Sequence, residues 1–201
     1  MNNYRRVVVK AGTNVLTSKT QRLDQKAIAR LVEQLALLHK EGIEVLLVTS
    51  GAIAIGRQVL DYNLSSRDVP SRQVLASIGQ SHLMHIYQEY FSKYGLRVAQ
   101  ALITKEDISH RQGYLNIRNT LNTLLEKRVI PIINENDVVE ISEIQENIIG
   151  DNDSLSALVT NLVDADLLIM LTDTDGLYTA DPKQNKAAQL INKVSVFDEE
   201  I

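Results

Sequence analysis

Cysteine is absent from the chain, and proline occurs only three times in 201 residues. Without cysteine there is no disulfide framework, no thiolate metal ligand and no cysteine nucleophile, which is typical of a cytoplasmic protein. The chain also lacks repeats, low-complexity tracts and any linker rich in proline, glycine or serine. With 44% hydrophobic residues it can bury a substantial core. We therefore expect one globular domain in the cytoplasm.

An excess of positive charge is absent as well. Lysine and arginine total 21 against 25 acidic residues, for a formal net charge of -4, so binding to nucleic acid or to an anionic membrane surface is not expected. The apolar runs at 45–48 and 167–171 are far shorter than the roughly 20 residues of a membrane span. The first residues lack the apolar core of a secretory signal, so we predict no export.

Short β-rich segments alternate with long amphipathic ones along the sequence. This order predicts an α/β fold in which a mostly parallel central sheet is covered by helices on both faces, a three-layer αβα sandwich. Ligands of such folds collect beyond the carboxyl ends of the strands. The predicted strands span residues 6–10, 44–49, 97–103, 129–133 and 166–171, and the main predicted helices span 24–40, 70–93, 111–128 and 154–163.

The first two strand ends have features that suit an anion. Lys10 ends the first strand and is followed by Gly12, where the backbone could approach a phosphate; the alternative is an ordinary exposed lysine before a turn. The second strand ends in small residues, including Ser50 and Gly51, that lead into a helix. A P-loop is excluded because Arg57 and Gln58 replace its Lys-Ser/Thr pair, and the single Gly12 does not match a dinucleotide-binding fingerprint.

Four later segments supply amides, hydroxyls or carboxylates, and three of them directly follow a predicted strand. Residues 134–137, Asn-Glu-Asn-Asp, suit an amino acid, although a solvated turn would have the same composition. Residues 151–153 either bind a ligand or cap the fourth helix. Further polar groups follow the third strand at 104–107 and the fifth strand at 172–175. These carboxylates form no dedicated zinc or EF-hand pattern, so we expect any Mg²⁺ to arrive with a nucleotide.

Taken together, these motifs resemble the glutamate 5-kinase branch of the amino-acid-kinase family. The matching segments, in order, are residues 8–13, 49–53, 134–137, 150–157 and 171–178. The resemblance implies the amino-acid-kinase fold, ATP and Mg²⁺ as cofactors, and transfer of the γ-phosphoryl group of ATP to the side-chain carboxylate of L-glutamate. It also implies a homo-oligomer, proline as a feedback inhibitor, and glutamyl phosphate reductase as the pathway partner.

Site residues follow from the resemblance by motif position. Lys10 and Asp153 are implied to be catalytic, the lysine contacting the nucleotide phosphates and the aspartate organising the lysines around the phosphoryl group. Substrate binding is implied for Ser50, Asn134, Asp137 and Asn152. Nucleotide or phosphate binding is implied for Lys10, Gly12, Gly51, Thr172 and Asp173. No residue is implied as a dedicated metal ligand.

The resemblance also indicates what the chain lacks. Residues 1–201 are expected to form an amino acid kinase domain that is incomplete at its carboxyl end, because no Gly-Gly-Met-x-Thr-Lys segment follows. No PUA domain is expected within these residues. Two alternatives therefore stay open: a catalytically silent glutamate-binding module, and another phosphotransferase of the same family.

Overall fold

Five apolar segments of the chain form one parallel sheet. They are β1 (Arg6–Ala11), β2 (Glu44–Thr49), β3 (Val98–Ile103), β4 (Ile130–Glu135) and β5 (Leu167–Leu171), arranged in the order β3-β4-β2-β1-β5. Every neighbouring pair is parallel. The computed structural model describes residues 4–17, 22–60, 68–139 and 152–194. The predicted parallel sheet is confirmed, with strand starts shifted by at most one residue.

Helices connect these strands. They are α1 (Thr13–Thr17), α2 (Gln25–Lys40), α3 (Ala52–Leu60), α4 (Val69–Ser92), α5 (Lys105–Ser109), α6 (Arg111–Glu126) and α7 (Asn152–Leu162). Asp24 caps α2, since its carboxylate accepts hydrogen bonds from the backbone N–H groups of Lys26 and Ala27. Among the described residues no helix has both the length and the apolar character needed to cross a membrane.

The two faces of the sheet bury separate apolar clusters. Val7 and Val9 of β1 pack on one side with residues of α2, α3 and α4, whereas Val8 packs on the other side with residues of α6 and α7. This division follows from the alternation of side chains along a strand. The predicted three-layer αβα arrangement, with both faces covered, is therefore confirmed.

β4 is longer than the sequence predicted. The sequence predicts a strand end at residue 133 and an irregular stretch over residues 134–150, but Asn134 and Glu135 are strand residues paired with Leu102 and Ile103 of β3. The parallel register continues because β3 is long enough to supply partners. The turn that follows is described to residue 139, and the remainder of the predicted irregular stretch lies outside the described residues.

α7 begins two residues earlier than predicted. Asn152 and Asp153 form its first turn rather than capping it from outside. The prediction placed the start at Ser154 because the Asp-Asn-Asp run is typical of a cap. Residue 151, the third candidate cap, lies outside the described residues.

The polar residues after β3 stabilise the start of α5. Thr104 accepts a hydrogen bond from the backbone N–H of Asp107, and the Asp107 carboxylate accepts from the backbone N–H and the hydroxyl of Thr104. This is a capping box for α5. The polar atoms of these two side chains stabilise the helix start, and a ligand-binding role for residues 104–107 stays a prediction.

The chain divides into two compact units, Met1–Leu171 and Thr172–Ile201. The first holds the parallel sheet and its helices. The second contains a two-stranded antiparallel sheet of β6 (Leu177–Tyr178) and β7 (Leu190–Ile191). This short sheet is not among the elements predicted from the sequence.

Candidate active site

The ends of β1 and β2 lie side by side in the sheet. The backbone N–H of Ser50 donates to the carbonyl oxygen of Ala11 at 3.1 Å, which joins the two segments directly after the paired strands. Gly51 has a φ of +101°, a conformation that side-chain-bearing residues rarely adopt. The glycine therefore allows the turn from β2 into α3 that keeps Ser50 next to β1.

Lys10 and Asp153 form an ion pair at this edge of the sheet. The Nζ of Lys10 lies 2.5 Å from Oδ1 of Asp153. The side chain of Lys10 is only 12% exposed, whereas that of Asp153 is 55% exposed. A Cβ on Gly12 would lie 3.1 Å from the Lys10 amino group, so the glycine leaves space beside that charge. A partly buried ammonium group next to open backbone is suited to a phosphate.

Three buried polar side chains, from the turn after β2, from β4 and from α7, meet beside this ion pair. The amide nitrogen of Asn152 donates to the hydroxyl of Ser50 at 2.7 Å and, at 3.4 Å, to the side-chain oxygen of Asn134. All three residues are buried. We call Ser50, Asn134 and Asn152 the amide cluster.

One acceptor of the amide cluster is left over. Oδ1 of Asn152 is buried and has no hydrogen-bond partner within the described part of the chain, and the residue is only 6% exposed. A buried polar atom without a partner costs free energy, so such atoms often mark a ligand position. A ligand with an N–H donor, such as an ammonium group, would satisfy this oxygen.

Asp137 lies on the wall of a cavity of about 300 Å³. The cavity is lined by residues of α4, β3 and the end of β4: Ala76, Ser77, Gln80, Ser81, Gln100, Leu102, Glu135, Asn136, Asp137 and Val138. Its volume suits a small molecule. The amide cluster and the cavity are adjacent along β4, because Asn134 belongs to the first and Glu135 to the second.

A hydrogen bond to α4 fixes the side chain of Thr49. Its hydroxyl lies 2.8 Å from the phenolic oxygen of Tyr87, and both residues are fully buried. Burial raises the pKa of Tyr87 well above its ordinary value, because the phenolate would be desolvated. The pair therefore stays neutral and anchors the residue that precedes Ser50.

We expect Thr49→Val to destabilise the fold by about 1–3 kcal/mol, because it leaves the Tyr87 hydroxyl buried without a partner. Urea unfolding measures this loss. The double variant Thr49→Val with Tyr87→Phe should recover part of it, since both polar atoms are then removed. A double variant that is less stable than the sum of the single losses would contradict the pairing.

Thr172 and Asp173 follow β5 and belong to the second compact unit. The Thr172 hydroxyl accepts a hydrogen bond from the backbone N–H of Thr174 at 2.9 Å and lies 2.8 Å from the Thr174 hydroxyl. Both predicted residues are exposed. Their assignment to a nucleotide site stays a prediction.

The structure thus brings together Lys10 with Asp153, and Ser50 with Asn134 and Asn152, while the roles assigned to these residues stay predictions. It also adds two residues that the sequence analysis missed as partners of the site, Gln80 and Tyr87, both on α4. Gln80 accepts a hydrogen bond from the Asn134 amide at 2.9 Å. No local sequence signal distinguishes it, because it lies in the middle of a long helix.

Comparison with known proteins decides the family. The model of the amino acid kinase family matches residues 5–200. The chain belongs to the amino acid kinase family. Among its relatives, the glutamate 5-kinase of Dehalococcoides mccartyi is 53% identical over 200 residues, covering 100% of this chain and 54% of the relative.

Two other relatives of this chain are also named glutamate 5-kinase. The glutamate 5-kinase of Shewanella oneidensis is 50% identical over 198 residues, and the match covers 98% of this chain and 52% of the relative. The glutamate 5-kinase of Proteus mirabilis is 46% identical over 201 residues, and that match covers 100% of this chain and 54% of the relative. The resemblance found in the motifs is therefore confirmed across the whole chain. The chain spans about half the length of the curated relatives it matches.

Proposed function

We propose that this chain transfers the γ-phosphoryl group of ATP to the side-chain carboxylate of L-glutamate, as part of a glutamate 5-kinase. One observation supports this most directly. Asn152 and Asp153 are consecutive in the first turn of α7, and they contact Ser50 and Lys10 respectively. A group that recognises an amino acid thus lies next to a group that stabilises phosphate.

The substrate needs little chemical activation. The side-chain carboxyl of glutamate has an unperturbed pKa of about 4.3, so it is ionised at neutral pH and can attack phosphorus directly. A new O–P bond forms as the bond from the γ-phosphorus to the bridging oxygen of ATP breaks, and ADP leaves. No general base is required in this scheme.

The main obstacle is charge repulsion between the carboxylate and the triphosphate. Catalysis therefore depends on positioning the two reactants in line and on cations and N–H donors around the transferring group. Lys10 supplies a positive charge, and Gly12 and Gly51 leave backbone accessible beside it. Asp153 holds the Lys10 ammonium in place at 2.5 Å.

The amino-acid end of glutamate is assigned to the amide cluster and Asp137. The unpaired oxygen of Asn152 can accept from the substrate ammonium group, and the carboxylate of Asp137 can attract it.

Thr172 and Asp173 are assigned to the nucleotide. Mg²⁺ bound to the nucleotide would neutralise phosphate charge. Because proteins usually hold it with one or two carboxylates plus phosphates, the exposed carboxylate of Asp153 fits such an ion.

A trapping assay tests the proposal. The chain is incubated with ATP, Mg²⁺, glutamate and hydroxylamine, which converts an acyl phosphate into a hydroxamate. Formation of the hydroxamate with glutamate, and not with aspartate, is the expected result. Glutamate binding without hydroxamate would instead indicate a silent glutamate-binding module. Product from a different acid would indicate another phosphotransferase of the family.

We expect Asp137→Ala to raise the KM for glutamate about tenfold with a smaller change in kcat, since the lost interaction is made to bound substrate. Steady-state kinetics in the hydroxamate assay measure both. Glu33→Ala removes an exposed carboxylate from α2 and is the matched control. A fall in kcat at unchanged KM would instead place Asp137 in the phosphoryl-transfer step.

The remaining proposals concern the whole protein. An acyl phosphate is labile, so it must pass to a second enzyme, for which we propose glutamyl phosphate reductase in the route to proline. Proline is then a candidate feedback inhibitor, and a homo-oligomer in the cytoplasm is the proposed form.

A further inference from the structure

Gln80 links the amide cluster to the cavity that Asp137 lines. It lies on α4, and its side-chain oxygen accepts a hydrogen bond from the Asn134 amide nitrogen at 2.9 Å. The same residue forms part of the cavity wall. Gln80 therefore contacts Asn134 and lines the same cavity as Asp137, and both of these residues are proposed to bind the substrate.

The direction of this hydrogen bond is fixed by the backbone. The side-chain oxygen of Asn134 accepts from the backbone N–H of Glu135 at 2.9 Å. Because that N–H can only donate, the oxygen of Asn134 must face it, and the amide nitrogen must face Gln80. Gln80 must then present its oxygen, since two facing amide nitrogens could not pair.

The same orientation extends to the substrate side of the cluster. The oxygen of Asn134 also faces the amide nitrogen of Asn152 at 3.4 Å, and that nitrogen donates to Ser50 at 2.7 Å. Both Asn152 donors thus point into the protein. As a consequence, its remaining oxygen is the atom left for a ligand.

Stability of the fold does not by itself account for a glutamine at this position. Its amide nitrogen is buried and has no partner within the described residues. The cost of that unpaired donor opposes the gain from the one bond that the side chain makes. An apolar side chain of similar size would avoid the cost, but the amide nitrogen of Asn134 would lose its acceptor and Asn134 would be held only through its oxygen.

We infer that Gln80 is a positioning residue for amino-acid recognition, which acts by holding the side-chain amides of Asn134 and Asn152 in one orientation. The inference rests on the proposed function for its substrate, L-glutamate. It does not require Gln80 to touch that substrate. Its effect is transmitted through Asn134, so it should disappear when Asn134 is removed.

The test uses Gln80→Met in the full chain, which keeps the length of the side chain and removes its polar end. Gln88→Met is the matched control, because Gln88 is exposed on the same helix. Glutamate affinity is measured by calorimetry for both variants, for Asn134→Ala, and for Asn134→Ala combined with Gln80→Met. In parallel, NMR records the side-chain amide signals of Asn134 and Asn152, and thermal unfolding confirms that each variant is folded.

We expect Gln80→Met to weaken glutamate binding about tenfold and Gln88→Met to leave it within about twofold. In the Asn134→Ala background, Gln80→Met should change binding by less than about twofold, because residues that act through one another are not additive. Multiplying effects in the double variant, or unchanged affinity in Gln80→Met, would overturn the inference.

The NMR measurement separates this inference from the proposed function. Gln80→Met should shift the side-chain amide signals of both asparagines and speed their exchange with water, whereas Gln88→Met should not. If the unmodified chain bound no glutamate, the proposed function would fail for this chain, and these signals alone would decide the positioning role. Unshifted signals would refute it. If Gln80→Met did not fold, Gln80→Leu would take its place in every arm.

Discussion

Replacing Lys10 by alanine should lower the rate of hydroxamate formation by about 100-fold to 1,000-fold, the effect of removing one group that stabilises charge in a transition state. The reason is positional. The Lys10 ammonium is mostly buried, lies beside Gly12 and is held by Asp153 at 2.5 Å. Such a charge need not reorganise when the phosphoryl group moves. Glutamate affinity should change little, because the amide cluster does not include Lys10.

Measurement of kcat and of glutamate binding separately checks this prediction. Lys26→Ala, which removes an exposed lysine from α2, is the matched control and should leave both unchanged. Loss of Lys10 should also leave the fold intact, since Asp153 is 55% exposed and is rehydrated once its partner is gone. A kcat close to that of the unmodified chain would remove Lys10 from the mechanism.

The sheet was predictable from the sequence because its strands are short apolar runs bounded by polar or glycine residues. β2 has the predicted bounds, and β1 extends the prediction by one residue at its end. Their side chains are buried on both faces, so the runs are continuous rather than alternating. Such a run can be recognised from neighbouring residues alone, so a single sequence is enough to predict it.

The differences from the sequence predictions have two causes: a partner distant in sequence decides the structure, or the local pattern is ambiguous or too short. β4 continues to Glu135 because β3 supplies partners for Asn134 and Glu135, although neither residue favours a strand. The capping box of α5 uses the same polar residue types as a ligand site, so composition could not separate the two. The β6 and β7 segments are two residues each and give no periodic pattern.

In the candidate site, too, some features are predictable from the sequence and others depend on contacts between distant residues. The parallel topology brings Lys10, Ser50 and Asn134 to one edge of the sheet, as expected for the carboxyl ends of parallel strands. The hydrogen bond between Gln80 and Asn134 spans 54 positions of sequence. No spacing rule indicates such a pair. The sequence therefore predicts which candidate residues share this edge of the sheet, whereas the orientation of their amides depends on contacts between distant segments.

The close approach of α3 and α4 makes the second large effect predictable. A Cβ on Gly79 would lie 1.7 Å from the carbonyl oxygen of Ala52, and one on Gly56 would lie 2.0 Å from that of Leu75. These distances are far inside van der Waals contact with backbone atoms, which cannot rotate away. The two glycines therefore set the distance between the helices.

We expect Gly79→Ala to destabilise the fold by about 3 kcal/mol, the upper part of the usual cost of overpacking, because one of the helices must move. Urea unfolding measures the loss. Gln88→Ala places the same residue at an exposed position of α4 and should change stability by less than about 0.5 kcal/mol. Equal unfolding midpoints for the two variants would contradict the close packing.

The same substitution should also weaken glutamate binding under conditions in which the variant is still folded. Ala52 begins α3 directly after Ser50 and Gly51, and Gly79 directly precedes Gln80 on α4. Separating the helices must therefore displace Ser50 of the amide cluster, Gln80 next to Asn134, or both. Calorimetry at low temperature, with folding verified by circular dichroism, measures the effect. Full glutamate affinity in a folded Gly79→Ala variant would show that the helix contact supports the fold without setting the geometry of the site.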